Sequence, residues 1–521
     1  DQDKNLKKPH IMCENLHGLG NGPGGIKELW ELMYGEQRLQ GGFIWEWCDH
    51  GILKKAENDE EYYAYGGDFG DFPNDGNFVI DGYVSPDRKI YPSLLEYKKA
   101  IEPIKMKSLN EQKTKYEVEN RYDFIDFSKI LLYYEIKKHG EKILGRTVDD
   151  FNVKPGQKKE LNIDLDKNLF EKGNEYILTF YWKLKEDTDI LKIGTELAFH
   201  QEKLWIEDLN YSNSYFEENL ENVPEYFEIK DGKEKIEIRM FNREIYFNKF
   251  NGKLEKYIFD GENILEEGIE MNFWRAPTDN DMLGIPEYGA KKIAEYWKNK
   301  GIHLMKYSLR KIFIEEKNEN YLILKVHKNA APPSLDWGVD ITYIYKIYRN
   351  GVIDIVVEGM PYGEKSETIP RIGILTCVNK TFENIEWYGL GPHESYIDSC
   401  SSVKYDLWRE KAEQMHTRYI FPQENGNRHN VKNFSMKNRN GLTIRFETLD
   451  NKFDFGISEY SIKTLEEAKH TYDLKKENYL QVTIDKEQYG LGSASCGEEP
   501  LEQYRLYLNK FKFSFKFKVG F

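Results

Sequence analysis

The sequence is poor in cysteine. Five occur in 521 residues, Cys13, Cys48, Cys377, Cys400 and Cys496, an odd number never spaced as C-x-x-C. Neither a disulfide framework nor a zinc site is therefore indicated, and a reducing compartment is expected. No stretch approaches about eighteen consecutive apolar residues, so no membrane-spanning helix is expected. No basic segment leads into an apolar one as in a secretory leader, and the expected location is cytoplasmic, with no membrane partner. Positive charge is in deficit: 74 Lys and Arg against 89 Asp and Glu leave a formal −15. Phosphate neutralisation needs clustered cations, so the balance argues against a nucleic-acid partner. The acidity instead keeps a large protein apart from its neighbours. Internal repeats and low-complexity tracts are absent, and so is an initial Met: the chain opens at Asp1, just before an apparent core strand. Processing and a start inside a longer protein would both explain that opening.

What is present suits packed cores, with 40% apolar and 14% aromatic residues. Residues 8–103 alternate strand and helix patterns. A strand over His10–Cys13 ends on Glu14, and "GGIKELWELMYG" places Ile26, Leu29, Trp30, Leu32 and Met33 on one helical face. A second strand, "GGFIWEW", precedes a Gly/Asp/Asn/Pro-rich loop, "YGGDFGDFPNDGNFVIDGYVSPDR", and a helix, "SLLEYKKAIEPI", stops at Pro103. Consecutive βα units predict parallel strands buried on both faces. The segment is far shorter than the roughly 250 residues of a β/α barrel, so it is either a small α/β layer or a barrel's tail. From 104 to 206 the period becomes two, as in an immunoglobulin-like β-sandwich. A polar, acidic linker follows at 207–226. Residues 227–521 again read as β, with hairpin turns at Asn251-Gly252 and Asn350-Gly351 and a last strand, "FKFSFKFKVGF", whose lysines face water. One large two-sheet domain is expected there.

Three constellations have chemical potential. Glu14 stands at the carboxyl end of a strand, where parallel α/β folds place their active sites; a loop cap bonded to backbone N–H groups is the plainer reading. "WEW" at 45–47 offers an indole beside a carboxylate, which suits stacking on a sugar's C–H face, or else plugs a core. Asp68, Asp71, Asn74, Asp75 and Asp81 gather oxygen ligands suited to hard cations, although Asp and Gly are equally turn residues. The loops "WRAPTDNDM", "WYGLGPHESY" and "FPQENGNRHN" either brace a sandwich rim or reach into a neighbouring site.

"IMCENLHGLGNGPGG", "RLQGGFIWEWCDHGI", "YGGDFGDFPND", "WRAPTDND", "WYGLGPHESY" and "FPQENG" occur in the order and spacing of the long β-galactosidases of glycoside hydrolase family 2, and the chain resembles their carboxyl-terminal half. The resemblance implies that 1–103 end a (β/α)8 TIM barrel, 104–206 form the sandwich, and 227–521 form a large terminal β-domain. It implies a retaining β-galactosidase acting on lactose-type substrates, with Glu14 as nucleophile. Asn15, Leu16, His17, Trp45 and Asp81 would bind the sugar. Asn74 would belong to a Mg2+ site, and the Phe78 carbonyl with Asp81 to a Na+ site. Two departures stand out: Asp81 replaces an Asn of a well-known member, and Cys496 falls roughly where one member presents a substrate-stacking Trp. The resemblance places the acid/base Glu and most Mg2+ ligands upstream of Asp1; nothing favours Glu46, Asp68 or Asp71 as substitutes. The chain alone is thus expected to be inactive, and to need an amino-terminal half or a complementing subunit, in a homo-oligomer when intact. A non-catalytic subunit and a carbohydrate-binding β-protein with a vestigial barrel are the rival readings.

Overall fold

A computed structural model describes residues 7–205, 227–284 and 291–521. The expected linker at 207–226 lies outside them. The chain forms two compact units, one of residues 1–96, 217–403 and 408–521, the other of 97–216 with 404–407. The division falls inside a helix, ahead of the expected boundary at 103.

The first unit opens with a βαβ element. Strand β1 (His10–Asn15) leads through helix α1 (Ile26–Gly35) to β2 (Leu39–Ile44), which pairs with β1 in parallel. The glycine preceding α1, Gly25, sits at φ 72°, and Ile26 and Met33 are the helix's buried anchors. Two expectations need correction. Strand β1 continues one residue past Glu14, and Trp45–Trp47 follow β2 instead of ending it. Nor are the strands buried on both faces: Ile11 is 58% and Phe43 67% exposed. Among the described residues β1 and β2 pair only with each other, so their outer edges are unpaired. A hairpin unforeseen in the sequence, β3 (Ile52–Lys55) with β4 (Glu61–Ala64), precedes the Asp-rich loop, and α2 (Pro92–Ala100) closes the segment.

The rest of this unit is β. A five-stranded antiparallel sheet begins at Phe227–Asp231, and a thirteen-stranded sheet runs from Leu265–Asn272 to Lys306–Lys317. Ile238, Phe247 and Tyr257 of the first share one core with Ile355, Phe446 and Phe515 of the second. Both Asn-Gly turns form as read, with Gly252 at φ 71° and Gly351 at φ 82°. The last strand, Phe511–Gly520, buries its phenylalanines, but its lysine face is not uniformly wet. Lys516 is only 3% exposed because its strand is interior to the sheet, between Asp354 and Glu447 on the neighbouring strands.

Among its described residues the second unit is a seven-stranded sandwich. Strands β5 (Ile104–Ser108), β6 (Lys115–Asn120) and β9 (Lys158–Asn162) form one sheet, and β7 (Ile130–Lys138), β8 (Glu141–Val148), β10 (Glu175–Leu184) and β11 (Glu196–Trp205) the other. Alternating inward residues, Tyr116 and Val118 on one side and Ile136, Leu178, Phe180 and Trp182 on the other, make its core.

Candidate active site

The carboxyl ends of β1 and β2 are laced together by backbone. The Trp45 N–H donates to Asn15 O at 3.0 Å, and the Gly18 N–H donates to Trp45 O at 3.0 Å. Leu16 adopts φ 52°, a turn that the Tyr83 hydroxyl fixes by donating to its carbonyl at 2.8 Å. Asp81 is drawn in by its carbonyl, which accepts from the Glu46 N–H at 2.7 Å. Glu14, His17, Trp45, Phe78 and Asp81 thereby meet at one spot.

His17 is its centre. Its Nε2 lies 3.9 Å from Glu14 Oε1 and its Nδ1 3.8 Å from Asp81 Oδ2. The ring sits 6.1 Å from that of Trp45, inclined by 30°, and 6.0 Å from that of Phe78. The side chain of Glu14 is 47% exposed, whereas His17 and Asp81 are buried. Both His17 nitrogens, Asp81 Oδ1 and Asn15 Oδ1 are buried without a hydrogen-bond partner. Such atoms are costly unless something completes them, so their convergence marks a place prepared for a polar ligand. Burial holds the His17 pKa below its ordinary value, against the pull of Glu14. Burial, and next the charge of Glu46, pushes Asp81 up to about 6. Glu14, Asn15 and His17 line a cavity of about 580 Å³, together with Glu28, Cys496, Glu498 and Tyr504.

The three loops of the β-domain brace this site. Asn77 Nδ2 donates to Asp279 Oδ1 at 2.6 Å, and Gln423 Nε2 donates to Asp279 Oδ2 at 2.8 Å. Asn21 Nδ2 donates to Glu424 O at 2.8 Å, so "PTDND" and "FPQENG" grip both the glycine loop after His17 and the Asn77 turn. Gly20 is at φ 54° against the Gln423 side chain, where a Cβ would collide. Glu394 of "WYGLGPHESY" accepts from Thr417 Oγ1 at 2.8 Å and the Gly426 N–H at 2.6 Å, holding the gripping loop from behind. None of these partners was visible from local spacing: Asn77 and Asp279 lie 202 residues apart and Asn21 and Glu424 403.

The Asp-rich loop serves turns. Asn74 Oδ1 accepts from the Gly76 N–H at 3.0 Å and its Nδ2 donates to Asp71 O at 2.9 Å. Asp71 accepts from the Gly67 N–H at 3.0 Å, and Asp68 pairs with His470 Nε2 at 2.9 Å. Glu46 lies 3.1 Å from His50. The Asn74 amide is committed to its own turn, and the described residues around it do not make a Mg2+ cage. Asp81 does suit a hard cation: it has a buried oxygen without a partner, close in sequence to the Phe78 carbonyl. Cys496, from the far end of the chain, joins Glu14 and His17.

Three known families match the chain. The family described as Beta galactosidase small chain matches residues 240–518, that of the Glycosyl hydrolases family 2 TIM barrel domain residues 1–106, and that of Beta-galactosidase domain 4 residues 116–205. A beta-galactosidase of Kluyveromyces lactis is 31% identical over 99% of this chain and 47% of its own length. That of Actinobacillus pleuropneumoniae is 30% identical over 98% of this chain and 48% of its own, and that of Priestia megaterium 29% over 97% and 47%. The chain spans about half the length of the curated relatives it matches. Because the match over residues 240–518 takes in more than half of the chain, the chain belongs to the beta-galactosidase small chain family.

Proposed function

We propose that this chain supplies the nucleophile half of a retaining β-galactosidase site, with β1 and β2 as the tail of a TIM barrel completed by another stretch of polypeptide. The observation that carries the reading is Glu14: a half-exposed carboxylate at a strand's carboxyl end, facing a cavity beside buried polar atoms that lack partners. Its ionised oxygen attacks the anomeric carbon of a terminal β-galactoside; the bond to the leaving-group oxygen breaks as the glycosyl ester forms, and water then hydrolyses the ester with net retention. His17 and Asp81 bond sugar hydroxyls, and Trp45, 39% exposed, offers its face to the sugar's C–H groups. A sodium ion held by Asp81 and the Phe78 carbonyl would add positive charge for a sugar hydroxyl. No step is assigned to Mg2+.

The acid/base group belongs to the completing polypeptide, either an amino-terminal stretch or a separate large chain in the cytoplasm. Exposed Ile11, Phe43 and Trp47, together with the open edges of β1 and β2, suit the barrel strands that would cover them. Proton donation to the leaving group contributes typically 10²–10⁴-fold, so the chain alone should barely turn over a chromogenic galactoside. Mixing it with the amino-terminal half of a relative should restore turnover, and Glu14→Gln should abolish it. Strong activity of the chain alone would contradict the division of labour.

A further inference from the structure

We propose that Glu14, His17 and Cys496 form a site for a thiophilic divalent metal ion, Zn2+ foremost, at the mouth of the cavity. A carboxylate oxygen, an imidazole nitrogen and a thiol sulfur here lie within 4.8 Å of one another. Zinc takes such ligands tetrahedrally at ~2.0–2.3 Å, which sets the ligand atoms roughly 3.3–3.6 Å apart. The Glu14–His17 separation is already 3.9 Å, and Glu14 is exposed enough to move inward. Cys496 is only partly buried and sits on a turn, its N–H donating to Ser493 O at 3.4 Å, so the sulfur has similar freedom.

The second support is independent of the cysteine. His17 is 93% buried by its 7% side-chain exposure, and neither of its nitrogens has a hydrogen-bond partner. Nε2 faces Glu14, while Nδ1 faces Asp81 at 3.8 Å. That is the sense of a metal-binding histidine: one nitrogen on the ion, the other N–H toward a carboxylate behind it. The Cys496 side chain binds an ion as the thiolate, so the thiol must give up its proton. As the Zn–S bond forms, that proton leaves to solvent. Sulfur and imidazole select against Mg2+ and Na+, which separates this site from the sodium site at Asp81. Occupancy ties up Glu14, so a consequence for turnover rests on the nucleophile reading, whereas binding rests on geometry alone.

The test uses the 521-residue chain with Zn2+ alone, and Co2+ as a coloured stand-in. Zn2+ should slow alkylation of Cys496, located by peptide mass mapping, while the exposed Cys13 reacts at its usual rate and Mg2+ protects neither. Co2+ should produce a thiolate charge-transfer band that Cys496→Ser removes. That variant should also weaken Zn2+ binding at least about tenfold, and Cys496→His should recover binding without the band. Equal alkylation of Cys496 with and without Zn2+ would overturn the proposal in the unaltered protein, whatever the variants' folding. If Zn2+ protects Cys496 but leaves turnover of the complemented enzyme unchanged, the metal site stands and the nucleophile reading fails.

Discussion

Asp279 is where the βαβ element and the β-domain loops are tied together, and Asp279→Ala should loosen both. Its carboxylate is fully buried, accepting from Asn77 Nδ2 at 2.6 Å and Gln423 Nε2 at 2.8 Å. Truncation strands two buried amide donors, each costing about 1–3 kcal/mol, so the expected loss is about 2–6 kcal/mol. The cost should depend on pH. Burial raises the Asp279 carboxyl from 3.8 to about 6, a folded value above the unfolded one. Its contribution is then complete below the unfolded value and declines as pH rises through about 6, by up to about 3 kcal/mol. Asp279→Ala should therefore cost more at pH 4 than at pH 8. Urea unfolding of the full chain at both pH values measures this. A double-mutant cycle with Asn77→Ala should show coupling of about 1–3 kcal/mol. A loss under about 1 kcal/mol at pH 4, with no coupling, would refute the bracing argument.

Asp49→Asn should follow the same pH trend. Asp49 accepts from the Gly82 N–H and the Tyr91 hydroxyl, each at 2.8 Å, yet burial pushes it up to about 7. The wild-type contribution is lost as pH rises through about 7, so the uncharged variant should gain relative stability between pH 4 and pH 8, by up to about 4 kcal/mol in parallel melts. Gly20→Ala forces a side chain into φ 54° and against Gln423. Left-handed backbone alone costs roughly 1–2 kcal/mol, and limited proteolysis should find the 18–25 loop cut faster.

Local signals recovered the parts whose causes are local. Asn251-Gly252 and Asn350-Gly351 need only a residue that accepts positive φ, and the alternating strands of the sandwich need only a pattern of period two. Burial of β1 and β2 was misread because apolar composition does not say which neighbours a strand has; Ile11 and Phe43 remain exposed. The Asp-rich loop allowed two readings, and Asn74 makes the hydrogen bonds of a turn. Bracing of the glycine loop could not be read locally, since Asn77 and Asp279 are 202 residues apart. Cys496 was singled out only by resemblance, and its approach to Glu14 and His17 is a property of the fold.

The nucleophile assignment can be tested at one atom. A 2-fluoro-galactosyl inactivator slows ester hydrolysis and traps the glycosyl enzyme once an amino-terminal half has completed the site. Digestion and tandem mass spectrometry should then place the sugar on Glu14. A label on Glu46, Asp68, Asp71 or any residue of the completing chain would contradict the account.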